Sequence, residues 1–147
     1  MKEHKVYVDL YHRYFVFDKK YRMTDFHIFM ISVCMDIINK SSTFHRMGGR
    51  IELVVIKDYN IDNRLPDLYT PFFDVECETG LKSSYKDLIG RILSTRKTVI
   101  VVLPNDNIKA RYIKHISVRK WHLKIVTMAE FQKAVYDTLR DYKPALE

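Results

Sequence analysis

Apolar and polar positions alternate in two different rhythms along this chain. From Thr24 onward, Phe26, Phe29, Met30, Val33, Cys34, Ile37 and Ile38 recur at three and four residues. That spacing puts them on one side of a helix, and Thr24 as N-cap with Asp25 in the first turn predicts its start. The helix is expected from about Asp25 to Asn39, with Ser41-Ser42 and Gly48-Gly49 marking the exit. Shorter apolar runs show no helical period. Ile51 to Ile56, opened by two glycines and closed by Lys57-Asp58, and Thr98 to Leu103, ended by Pro104, are nearly continuous. Strands buried on both faces read this way, as in parallel sheets covered by helices.

The remaining segments fit between these. Lys5-Val6-Tyr7-Val8-Asp9-Leu10 and Tyr14-Phe15-Val16-Phe17 have strand character, and one bent strand, a hairpin and a strand with an irregular return all stay open for them. Ser83-Ser84 begins a helix through Leu88, Ile89, Ile92 and Leu93. A further helix is expected over about 108–118, a strand over 121–126 and a closing helix over 129–142. Between Tyr59 and Gly80, Asn, Asp and Pro predict an irregular excursion at about 59–80, in which Phe72 to Cys77 is at most a short strand. Strand and helix thus alternate four times. This predicts an α/β fold: a single three-layer Rossmann-like domain over 1–147, with a mainly parallel sheet of about four to five strands and helices on both faces.

Composition narrows the function classes. The 147 residues carry 25 Lys and Arg against 18 Asp and Glu, a formal charge of +7, which favours a polyanionic partner. Cys34 and Cys77 lack the close spacing of a zinc or redox motif and read as buried free thiols, so a reducing, cytoplasmic setting is expected. The charged start MKEHK gives no signal-peptide core, and the richest apolar run is broken by Asp36, so no membrane partner is expected. With four glycines and neither phosphate-cradling Gly motif, no nucleotide cofactor is expected. The six histidines show no ligand pair at helical spacing.

Ligands of open α/β sheets gather beyond the carboxyl ends of the strands. Asp9, Asp58 and Asp106 follow three of the apolar strands, and converging carboxylates are tolerated when a hard cation, Mg2+ or Mn2+, lies between them. Capping or turn roles compete at each position, most strongly at Asp58. Downstream, Lys109, Arg111, Lys114, His115, Arg119 and Lys120 surround Tyr112 and Trp121. On a helix, Arg111, Lys114 and His115 share a face that a sugar-phosphate chain can follow, while Ile108, Tyr112, Ile113 and Ile116 face the sheet.

Val6-Tyr7-Val8-Asp9, together with Val99 to Leu103 and the turn Pro104-Asn105-Asp106-Asn107, resembles the PIN and NYN group of Rossmann-like ribonucleases. The resemblance implies RNA cleavage with a divalent metal held by Asp9 and Asp106, with Asp87 as a third carboxylate. The family's late turn usually reads Ser-Gly-Asp-Ser-Asp-Phe and its first-strand Asp is followed by Asn, whereas this chain has Pro-Asn-Asp-Asn-Ile and Leu10. A nucleic-acid-interacting domain, RNA before DNA, is the leading expectation. A non-catalytic protein-interaction or regulatory module is the alternative.

Overall fold

The longest periodic run makes the longest helix. In a computed structural model, which describes residues 15–17, 25–56, 66–80, 85–116 and 122–143, helix α1 spans Asp25–Asn39. Its buried side is Met30, Ile31, Cys34, Met35 and Ile38, while Phe26 and Phe29 are exposed. The face is therefore rotated from the one expected: Ile31 and Met35 are buried in the core, and the two phenylalanines stack on each other outside, centroids 6.3 Å apart. The expected exit at Ser41 is instead a new start. Its hydroxyl accepts the Phe44 N–H at 3.2 Å and caps a short helix, α2 (Ser42–Arg46), which buries Phe44.

Among the described residues, six strands form one sheet in sequence order: β1 (Phe15–Phe17), β2 (Leu53–Ile56), β3 (Leu68–Tyr69), β4 (Phe73–Cys77), β5 (Thr98–Leu103) and β6 (Leu123–Thr127). β1 pairs with β2 in parallel, as do β4 with β5 and β5 with β6, whereas two-residue β3 is antiparallel to both its neighbours. All strands except β3 consequently run the same way, and their carboxyl ends share one edge. The sheet exceeds the expected four to five strands because the excursion supplies a hairpin. Thr70 closes that hairpin: its Oγ1 accepts the N–H groups of Phe72 and Phe73 at 3.2 and 3.0 Å and donates to Phe73 O at 2.7 Å. β4, expected as at most a short strand, is an interior strand buried at all five positions.

α3 (Tyr85–Ser94) joins β4 to β5, α4 (Asp106–His115) joins β5 to β6, and a 3-10 turn at Met128–Glu130 leads into α5 (Phe131–Arg140). Strand pleating sends alternate side chains to opposite faces. Ile100 and Val102 of β5 join Phe73, Val75 and Cys77 in a core with α1, α2 and α5. Val99, Val101 and Leu103 join Leu88 and Ile92 of α3 and Tyr112 and Ile116 of α4 in a second core. Each fully buried Ile or Leu contributes about 1.5–3 kcal/mol, so β5, buried over five of its six residues, anchors both cores. The expected strand at Lys5–Leu10 and the helix cap Thr24 lie outside the described residues. Among the described residues, no helix is long and apolar enough to cross a membrane.

Candidate nucleic-acid interface at the carboxyl edge

Parallel strands bring the chain segments after β4, β5 and β6 to one edge. Of the carboxylates expected there, Asp9 and Asp58 lie outside the described residues. Asp106 is the first residue of α4 and is exposed, and the cap before it is Asn105, whose side chain accepts the Ile108 N–H at 3.0 Å. Its charge suits the positive end of the helix. Asp87 occupies the matching first turn of α3. Among the described residues, no three His, Cys, Asp or Glu side chains are arranged to hold a metal ion, and Asp9, the partner expected for Asp106, lies outside them.

A different titratable group gathers at this edge, around the end of β4. Asp67, just before β3, is buried and accepts the Cys77 N–H at 2.7 Å. His27 of α1 lies 3.3 Å from the same carboxylate. Burial works against the His27 cation, but Asp67 outweighs it and raises the imidazole above its ordinary value. One strand position earlier, Glu76 is 2% exposed and paired with Arg91 of α3 at 2.8 Å. Burial and the Asp67 charge still push its carboxyl well up, against the pull of Arg91. Glu78, just past β4, has the Tyr112 phenol 3.5 Å from Oε1. Burial, then Asp67, raise Glu78 to about 7, opposed by Arg91, His27 and Tyr112. A carboxyl raised to about 7 close to an imidazole raised above its ordinary value suits general acid–base chemistry.

Sequence reasoning missed this group. Asp67 sits in a stretch dense with turn residues, and Glu76 and Glu78 look like the solvent side of a short strand. Their burial depends on Arg91, Tyr112 and His27, which are distant in sequence.

The basic residues expected on α4 divide by what they touch. Lys109 is bound to Glu130 at 2.8 Å, and this hydrogen bond lowers the Glu130 carboxyl while tying α4 to the end of β6. Arg111 donates to Gly80 O at 2.8 Å, two residues beyond Glu78. Gly80 has φ +82°, and a Cβ there would meet Arg111 and Ile108 at 2.8 and 2.9 Å. Lys114 and His115 are exposed, and His115 stacks on Tyr85 with centroids 4.6 Å apart and planes 4° from parallel. The face carrying Arg111, Lys114 and His115 is thus outward as expected. Tyr112 and Ile116 pack inward, but Ile113 is 51% exposed, because the buried face is narrower than the apolar pattern. Arg119 and Lys120 lie outside the described residues.

The two cysteines are buried free thiols, with Sγ atoms 3.8 Å apart between α1 and β4. The contact with Cys34, then burial, raise the Cys77 thiol well above its usual range. Comparison of the chain with protein-family models, curated proteins and solved structures finds no match.

Proposed function

We propose that this chain is a nucleic-acid-interacting domain with a Rossmann-like three-layer plan, RNA being the preferred polymer, and that the strand passes along the outer face of α4. The observation that carries this reading is the exposed array of Arg111, Lys114 and His115, with a stacked His115–Tyr85 pair beside it. Cations there neutralise phosphates, and an aromatic pair offers a surface on which a base stacks. The same helix reaches the carboxyl edge through Arg111 to Gly80 and Tyr112 to Glu78, so a strand on α4 runs next to the titratable group.

Cleavage of the strand has two chemical routes. The ribonuclease resemblance puts Mg2+ or Mn2+ on Asp9 and Asp106. The geometry at the end of β4 instead supports proton transfer by Glu78 and His27. Incubation of labelled single-stranded RNA and DNA with the protein, in Mn2+ or in EDTA, separates them. Cleavage lost in EDTA and in Asp106→Ala supports the metal route; cleavage kept in EDTA and lost in Glu78→Gln supports the second. Binding without cleavage leaves a nucleic-acid-binding module. Absence of both at low salt overturns the reading and turns attention to a protein-interaction role, for which the exposed Phe26 and Phe29 pair is suited.

A further inference from the structure

The edge opposite the titratable group, where β4, β5 and β6 begin, carries a different arrangement. Here α3 and α5 end, and a cavity of about 1020 Å³ opens between the strand starts and the segment after α5. Five cations line it, Arg96, Lys97, Lys124, Arg140 and Lys143, against one carboxylate, Asp141, among the described residues.

Two of the five are committed to local partners. Lys97 is 2.6 Å from buried Asp74 and donates to Thr70 O at 2.9 Å, and Arg140 pairs with Asp137 and Asp141. Helix carboxyl ends attract cations, and Arg140 in the last turn of α5 answers that need. Arg96, Lys124 and Lys143 form no ion pair within 4 Å among the described residues. Arg140, joined from longer range by Lys124 and Lys143, holds the Asp141 carboxyl below its ordinary value, and five cations against that one carboxylate leave the lining with a cationic surplus. Its wall is also aromatic: Phe72 and Tyr142 meet edge to face, centroids 4.9 Å apart. Ligand sites typically enclose about 300–1,000 Å³, so the space, at the top of that range, is large enough to take a nucleotide.

We propose that this amino-edge cavity binds a phosphate-bearing ligand of nucleotide size, its phosphates on Arg96, Lys124 and Lys143 and its apolar part against Phe72 and Tyr142. The source of the phosphates is either a free nucleotide or a few residues of an oligonucleotide, and the recognising chemistry is shared. The site is separate from the α4 face and stands whether or not that face binds RNA.

The test is titration of the full chain at 50 mM salt with inorganic tripolyphosphate, ATP and an eight-residue oligouridylate. Wild type is compared with Arg96→Glu/Lys124→Glu, with the neutral pair Arg96→Gln/Lys124→Gln, and with Lys114→Glu on α4. Circular dichroism checks folding, and the neutral pair serves if the charge-reversed chain fails to fold. The expected result is at least tenfold weaker binding in the cavity variants for ATP, for the oligonucleotide or for both, with Lys114→Glu leaving ATP binding unchanged. ATP and tripolyphosphate binding that the cavity variants weaken assigns the site to free nucleotides, and oligonucleotide binding that the cavity variants weaken, without ATP binding, assigns it to a chain. For three phosphate contacts on a single strand, raising salt from 50 to 200 mM weakens binding by about 20-fold. Binding of none of the three probes, or equal binding by wild type and the folded cavity variant, overturns the proposal.

Discussion

Replacing Glu78 by Gln should make the protein more stable, and only above mild acidity. The carboxyl is held up to about 7 against an ordinary 4.5, chiefly by burial and then by Asp67, with Arg91, His27 and the Tyr112 phenol opposing. Because the folded-state value is raised, the stability associated with this group is fully present below about pH 4.5. It is lost as pH rises through 7. At about 1.4 kcal/mol per decade, the difference at pH 8 is about 3 kcal/mol, and residual water around a partly buried group lowers it to about 2 kcal/mol. Gln has nearly the same shape and still accepts from Tyr112, but it has no charge to desolvate. Urea unfolding at pH 5, 6, 7 and 8 measures the effect. The gap between the Glu78→Gln variant and wild type should grow from about 0.5 kcal/mol at pH 5 to a midpoint shift on the order of 1 M at pH 8, most of the change falling between pH 5 and 7. The Glu78 charge also helps raise the His27 imidazole, so Glu78→Gln removes that support from His27 as well, and the gap reports the loss of the Glu78 charge together with its coupling to His27. A gap that is constant with pH, or a less stable variant at pH 8, would refute the reasoning.

Three further outcomes follow from single contacts. Arg91→Ala removes the cation 2.8 Å from Glu76, which is 2% exposed, and should cost about 3–5 kcal/mol in chemical unfolding at neutral pH, with Arg91→Ala/Glu76→Gln recovering much of it. Gly80→Ala places a methyl 2.8 Å from Arg111 at φ +82° and should lower stability by about 1–3 kcal/mol, seen as a reduced melting temperature. Neither Cys34 nor Cys77 should react with a thiol reagent in the folded protein within minutes, and both should react in denaturant; prompt modification without denaturant contradicts their packing between α1 and β4.

The parts of the fold legible in the sequence are those whose burial is settled by local pattern. Helix α1 begins and ends where the three-and-four spacing places it, and β5 covers the whole apolar run from Thr98 to Leu103. The closing helix is legible apart from its first turn, which is 3-10 from Met128 to Glu130, and the strand expected from Trp121 is seen from Leu123. β4 was obscured because Asp74 and Glu76 interrupt Phe73, Val75 and Cys77. Charges inside a strand argue for a solvent face until Lys97 and Arg91 are known to meet them. The same reason hid the site. The basic face of α4 was readable from spacing alone, whereas the group of Asp67, Glu76, Glu78 and His27 exists only through pairing of β3 with β4 and packing of α1 and α3. Asp106, selected by its place after a strand, proved to be an exposed first-turn residue behind the Asn105 cap.

The central claim, that the α4 face holds a nucleic-acid strand, is tested most directly by the salt dependence of RNA binding to wild type and to Arg111→Gln/Lys114→Gln. With labelled single-stranded RNA between 50 and 200 mM salt, wild type should show log affinity falling linearly with log salt. The double variant should bind more weakly and with a slope shallower by about 1.4, the loss of two phosphate contacts. Identical slopes and affinities for the two proteins would contradict the account, as would no RNA binding at 50 mM salt.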